Sequence, residues 1–165
     1  MNIGNYICPI CRDNPYSHSL KYLGTFHNSA FLYTRPADAI RYDDRPGILA
    51  HYNGVFRTLI NDHISSNTNS IIHDDEHITC HRWSWLFDAR GFSWQHYLEM
   101  GLAIDLAKLI NTPIYSNSLD NIYIFRPPAL LHMTLSIVYP FLSTRLREKI
   151  IIINRIPSSI SRHIT

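Results

Sequence analysis

The chain has 165 residues, a length that fits one domain with a substantial buried core. Its 15 lysines and arginines nearly balance 13 aspartates and glutamates, which excludes a globally basic nucleic-acid binder. No repeat or low-complexity tract is present, and a hydrophobic fraction of 45% is ordinary for a globular protein.

Targeting signals follow the same logic. Met1-Asn2-Ile3-Gly4-Asn5 has neither the basic region nor the apolar core of a secretory signal. The longest apolar segment, residues 129–142, carries His132, Thr134, Ser136 and Pro140. It falls short of the ~20 residues a membrane span needs. Three cysteines, an odd number, argue against a disulfide framework and for a reducing compartment. The expectation is a soluble cytoplasmic protein.

In chain order, residues 1–19 read as a polar, flexible leader and residues 20–165 as the domain. Residues 30–34 suit a short strand stopped by Pro36. Asp43-Asp44-Arg45-Pro46 opens a helix, with acids and a proline near its first turn. Ile48, Tyr52, Val55, Phe56, Leu59 and Ile60 then fall on one face of it. Residues 65–77 read as a polar loop. Residues 80–87 form a strand with Trp83, Trp85 and Phe87 on one face. Ser93 caps a helix that runs to about Ile110, with Leu98, Leu102, Leu106 and Leu109 as its buried stripe, before Thr112-Pro113 ends it.

Residues 119–125 are a further strand, and residues 129–142 a helix apolar on nearly every side. Such a helix must be covered all round, and one of its covers can be a ligand. The β-branched run Ile150-Ile151-Ile152-Ile153 suits the middle of a parallel sheet. Strands alternating with helices imply an α/β fold, a mostly parallel sheet covered by helices.

Few residue sets carry recognisable chemistry. Cys8-x-x-Cys11 has the spacing of a zinc knuckle. Beyond it the chain offers only His18, His27 and Cys80, with Cys80 in a predicted strand, so a metal-free leader is the simpler reading. The run His73-Asp74-Asp75-Glu76-His77 has metal-ligand types but no helical i, i+4 pair, and reads as a solvated loop. His96 and His132 are isolated. A G-x-S-x-G elbow, a phosphate-binding glycine loop and a Cys-His dyad are all missing. No catalytic residue and no cofactor are therefore expected.

The segment from Phe87 to Ile153 carries the strongest signal. Phe87-Asp88-x-x-Gly91-Phe92 ends a strand, and Ile122-Tyr123-Ile124 is followed by Pro128. The apolar helix then leads into Pro140-Phe141-Leu142 and x-x-Arg145-x-Arg147-Glu148-Lys149-Ile150. Upstream, Tyr22-Leu23-Gly24 precedes Phe31-Leu32-Tyr33-Thr34-Arg35-Pro36. This ordered set resembles the CRAL-TRIO family of lipid-binding and lipid-transfer proteins, and most closely its tocopherol- and retinaldehyde-carrier branch.

The resemblance implies a non-enzymatic module that holds one hydrophobic ligand under the 129–142 helix, acting as a lid. The residues it puts around the ligand are Trp83, Trp85, Phe87, Phe92, Trp94, Leu119, Ile122, Ile124, Leu131, Leu135, Ile137 and Val138. It implies that Arg145, Arg147 and Lys149 contact phosphoinositide or other anionic headgroups during delivery at a membrane surface. From Ser143 to Thr165 the basic residues are Arg145, Arg147, Lys149, Arg155 and Arg162, against the single acid Glu148. The carrier branch has further cations where this chain has Ser118 and Asp120, and phosphatidylinositol-exchanging members have a glutamate at the position of Asn117. Generic headgroup attraction is thus expected rather than specific inositol-lipid exchange. The expected partners are a hydrophobic small molecule or lipid and an anionic membrane, not nucleic acid. Two rival readings are a small metal-dependent enzyme using the 73–77 loop and a ligand-free interaction module on the same fold.

Overall fold

The computed structural model describes residues 9–13, 17–26, 29–40, 43–68 and 82–154. Its elements in order are α1 (Pro9–Asp13), β1 (Leu20–Phe26), β2 (Ser29–Thr34), α2 (Arg45–Thr68) and β3 (Arg82–Asp88). There follow α3 (Trp94–Leu98), α4 (Met100–Ile110), α5 (Pro113–Ser116), β4 (Leu119–Phe125), α6 (Ala129–Val138), α7 (Thr144–Glu148) and β5 (Ile150–Ile153). The five strands make one sheet in the order β1-β2-β3-β4-β5. β1 pairs antiparallel to β2, while β2 through β5 are parallel, each joined to the next by helices. This is the expected α/β fold.

The alternation of side chains sorts the sheet into two faces. Ala30, Leu32, Trp83, Trp85, Ile122 and Ile124 meet the apolar faces of α2, α4 and α6 in the main core. α2 buries Ile48, Tyr52, Val55, Phe56 and Leu59 there, the stripe its spacing predicts. The opposite face carries a smaller cluster of Tyr33, Leu86 and Phe125. Beside that cluster, the fully buried Asp88 accepts a bond from Tyr33 Oη at 3.0 Å and pairs with the Arg90 guanidinium at 2.5 Å.

Gly91 turns the chain out of β3. Its φ of +78° lies in the left-handed region, and a Cβ there would stand 2.7 Å from Ala37 Cβ. The glycine in Phe87-Asp88-x-x-Gly91-Phe92 therefore has a backbone reason.

Several local expectations give way. α2 continues through Thr68, so residues 65–68 are helical rather than loop, and the rest of that predicted loop lies outside the described residues. The helix expected over 93–110 is two, broken at Glu99, whose φ and ψ of −82° and 32° are not helical. β5 is an edge strand, with Ile151 and Ile152 exposed, because the β4 ladder occupies only one of its sides among the described residues. α6 ends at Val138, and a 3-10 turn over Tyr139–Phe141 accommodates Pro140. Its cover is one-sided: Leu131, Thr134 and Val138 are buried while Met133 and Ile137 are exposed. Of the leader, residues 17–19 are buried. Residues 1–8, including Cys8, and the 73–77 run lie outside the described residues.

Candidate functional site

An apolar cavity of about 180 Å3 lies between the sheet and its helical cover. The sheet supplies Thr34, Trp85, Phe87, Ile122, Ile124 and Ile150. α4 supplies Leu102, Ala103, Leu106, Ala107 and Ile110, and α6 supplies Leu131, Thr134, Leu135 and Val138. Ile48 and Tyr52 of α2 close one side, and Phe92, His96 and Glu99 close another.

The space exists because large faces small. Trp85 and Phe87 sit on the floor, and the helix above contributes Ala103 and Ala107, too short to fill the gap. At the next position along the same strand face the opposite holds. Trp83 packs against Phe56 with ring centroids 4.7 Å apart, and Phe56 in turn meets Tyr115 at 5.4 Å. These three aromatic side chains fill that end of the interlayer.

The expected ligand-contacting residues thus divide. Trp85, Phe87, Phe92, Ile122, Ile124, Leu131, Leu135 and Val138 come together on the cavity wall. Trp83 and Leu119 do not reach it, since both are buried in solid core at the start of their strands. Trp94 is 58% exposed and stacks on Tyr97, and Ile137 lies on the outer face of α6. At that end of the helix Thr134, Leu135 and Val138 line the cavity, while Ile137 falls between them on the opposite side.

Sequence reasoning missed the polar members of the wall. Trp85 Nε1 donates to Thr34 Oγ1 at 2.9 Å, and Thr34 Oγ1 lies 3.0 Å from Tyr52 Oη. Burial raises the Tyr52 phenol well above its ordinary pKa, so it stays protonated. Across the cavity, His96 Nδ1 accepts from the Ser93 backbone at 3.0 Å in a capping box, which fixes the ring that lines the wall. Ala103 and Ala107, spaced by four within the leucine stripe, were the one signal in the sequence that this helix leaves room.

The basic residues sit on and just after α7. Arg145 and Arg147 are exposed. Arg145 Nη1 donates to Asn117 Oδ1 at 2.9 Å and Arg147 Nε to the Leu142 carbonyl at 3.0 Å. Lys149 is half-buried and its ammonium donates to the carbonyls of Ser116, at 3.0 Å, and Leu119. Burial, reinforced by the neighbouring Arg145 charge, lowers its pKa. Asp120 pairs with Arg82 and accepts from Ser29 Oγ at 3.1 Å.

A second cluster of functional types lies where His18, on the cavity wall, meets α1 and α2. Cys11 Sγ is 3.5 Å from His18 Nδ1, and the rings of His18 and His51 are 5.3 Å apart. Burial lowers the His51 pKa to about 4, so its ring is neutral at pH 7. None of the described helices is long and apolar enough to cross a membrane.

Comparison with known proteins bears on the fold and the family. No curated protein matches this sequence. Among solved structures, that of Sfh5 superposes with a TM-score of 0.59 at 10% identity, over 84% of this chain and 48% of that one. The chain thus spans about half the length of that protein, and the likeness is one of fold. A family model for the CRAL/TRIO domain matches residues 47–165, which include all but the first two residues of α2, β3 to β5 and every helix between them. The chain belongs to the CRAL/TRIO domain family.

Proposed function

We propose that the domain binds one small hydrophobic molecule or lipid in the cavity and carries it to or from membranes. The observation that carries this reading is the apolar cavity beneath α4 and α6, floored by Trp85 and Phe87. Family membership supports it, since a CRAL/TRIO domain is the setting in which such a cavity is expected to hold a lipid. No catalytic group is part of the reading. Each methylene buried contributes ~0.8 kcal/mol, so a chain of about twenty carbons gains on the order of 10 kcal/mol before the costs of binding.

Size sets a condition. The cavity of about 180 Å3 is smaller than the ~300–1,000 Å3 of a site for a drug-sized ligand. A lipid therefore widens it on entry. α6 is the wall suited to move, because it is held on its inner face alone, through Leu131, Thr134 and Val138, while Met133 and Ile137 are exposed. The exposed apolar side chains Trp94, Leu98, Met133, Ile137 and Phe141 on α3, α6 and the following turn would rest on the bilayer while it does so. Arg145 and Arg147 add attraction to anionic headgroups, phosphoinositides included, worth ~1 kcal/mol each near a membrane surface.

The test uses Trp85 as reporter. Among the 3 tryptophans, Trp83→Phe and Trp94→Phe together leave Trp85 as the only indole. Titration with the fluorescent fatty acid cis-parinaric acid should quench Trp85 emission saturably, at about one probe per chain. Ala107→Trp, which fills the gap from above, should abolish the quenching. A folded chain that shows no saturable quenching with this probe or with a retinoid would refute the reading and leave the rival of a ligand-free interaction module.

A further inference from the structure

Most polar groups on the cavity wall are engaged by the protein itself. Thr34, Tyr52 and Trp85 bond one another. Ser19 Oγ accepts from the Arg35 N–H at 3.0 Å, and Thr134 Oγ1 donates to the Leu130 carbonyl at 3.1 Å. His96 is held in the Ser93 capping box, and His18 lies between Cys11 and Asp44, 3.5 Å from each. Glu99 differs. It stands at the break between α3 and α4 and lines the cavity, yet its side chain does not cap α4. No hydrogen bond or ion pair engages its carboxylate among the described residues.

Charge narrows what could sit beside it. Among the described residues no lysine or arginine lines the cavity, so the carboxylate has no fixed counter-charge there. Both of its oxygens are open to a donor. Its half-buried position makes this tolerable, since water can reach it. A ligand seated in the cavity would displace such water and must replace the bond it made. A fatty-acid carboxylate or a phosphate would meet like charge instead. An ammonium would shed its hydration against a single partner, at a high desolvation cost. A hydroxyl supplies the missing donor without that cost, in a hydrogen bond strengthened by the charge on its acceptor.

We propose that the ligand is a lipid alcohol, an apolar body ending in a hydroxyl, and that Glu99 is the residue that accepts the hydroxyl's hydrogen bond. The inference rests on the cavity reading above and gives it a head-group specificity. Position agrees with it. Glu99 directly follows Leu98, and Trp94 and Leu98 are 58% and 65% exposed on the apolar surface that would rest on the bilayer. Tryptophan favours the boundary between acyl chains and water, the level at which a lipid hydroxyl lies. The carboxylate can therefore take the hydroxyl at that boundary, while the body of the lipid passes between the sheet and α6.

The experiment compares three probes with one tail on the full chain: cis-parinaryl alcohol, cis-parinaric acid and its methyl ester. Probe emission at neutral pH reports the affinity of each. The alcohol should bind at least about tenfold more tightly than the acid or the ester, the effect of one hydrogen bond to a charged group. The ester separates the two causes, because it is neutral but has no donor. Glu99→Gln, the isosteric amide, should keep Tm near wild type, improve binding of the acid and cut the advantage of the alcohol to about threefold or less. Glu99→Ala, which removes the acceptor, should abolish that advantage. A merely structural role for Glu99 would lower Tm and leave the ratio between probes untouched. Equal affinity of the wild type for all three probes overturns the assignment while the cavity reading stands. So does a preference for the alcohol that both variants retain. If none of the probes binds saturably to the folded chain, the cavity reading itself falls and this inference with it.

Discussion

Thr34 and Trp85 are joined across β2 and β3 by a bond from the indole Nε1 to Thr34 Oγ1 at 2.9 Å, directly on the cavity wall. The same hydroxyl lies 3.0 Å from Tyr52 Oη, so one oxygen satisfies two buried polar groups facing an apolar space. Thr34→Val keeps the shape but orphans both. An unsatisfied buried donor costs about 1–3 kcal/mol. The variant should lose roughly 2 kcal/mol of stability in chemical denaturation, while its affinity for cis-parinaric acid stays near that of the wild type. A large loss of affinity with unchanged stability would instead make this trio a ligand contact.

The division of α6 into an inner and an outer face gives a paired prediction. Leu135 lines the cavity and Ile137 is exposed, two residues further along the same helix. A carboxylate on the wall without a partner costs several kcal/mol and repels an apolar ligand. Leu135→Asp should therefore abolish saturable probe binding in the Trp85 assay. Ile137→Asp should leave that binding intact and reduce transfer of the probe to phospholipid vesicles. Equal loss in both variants would mean that α6 acts as a whole and has no separate docking face.

Much of this arrangement is legible in the sequence, for physical reasons that differ by element. β3 and β4 announce themselves because both are buried on two faces and carry continuous apolar runs, Trp85-Leu86-Phe87 and Ile122-Tyr123-Ile124-Phe125, and α2 because its apolar stripe keeps helical spacing. β1 is harder to see: Lys21 and Thr25 dilute it, and Gly24, at φ +129°, sits at an irregularity in its register with β2. A run of four isoleucines suits a buried or an edge strand alike, so the position of β5 depends on its neighbours rather than its composition. The cavity half of the site followed from strand alternation, which puts Trp85 with Phe87 and Ile122 with Ile124. Where the cavity ends did not, because Phe56 fills the Trp83 end from another element. His18 and His51 are unreadable as partners, since only the docking of the turn before β1 onto α2 brings them together.

Asp88 links the Phe87-Asp88-x-x-Gly91-Phe92 turn to stability through pH. Burial alone would raise its carboxyl pKa. The Arg90 side chain and backbone N–H, with the Tyr33 hydroxyl, outweigh burial and hold it below the ordinary 3.8. A carboxyl with a depressed folded pKa contributes its full stabilisation above the unfolded value and loses it as pH falls below. Asp88→Asn should thus cost about 2–3 kcal/mol at pH 7, the range for hydrogen bonds to a charged group. The gap between wild type and variant should narrow as pH drops below 3.8. Denaturation at pH 7 and pH 3 checks this, and a gap that stays constant would show that the loss is one of packing.

The basic residues around α7 separate by what they already hold. Lys149 spends its ammonium on the carbonyls of Ser116 and Leu119, at the junction between α5 and β4. Lys149→Ala leaves those carbonyls without their donor and should cost roughly 1 kcal/mol of stability, with little change in vesicle binding. Arg145 and Arg147 are exposed, and each keeps further N–H donors beyond the one bond described. Arg145→Glu with Arg147→Glu should therefore leave Tm near wild type and remove about 2 kcal/mol of attraction to anionic vesicles, roughly a thirtyfold loss in binding. Neutral vesicles should show no difference between the proteins. Salt should shrink the difference on anionic ones, as the Debye length falls from ~10 Å at 0.1 M to ~3 Å at 1 M. Cosedimentation with vesicles of both kinds, at both salt concentrations, measures all of this. If Lys149→Ala loses anionic binding as strongly as the double arginine variant does, the ammonium reaches the membrane and the junction at Ser116 opens on docking. If neither loses it, the three cations stabilise the α7 turn and the bilayer is met by the apolar face of α3 and α6 alone.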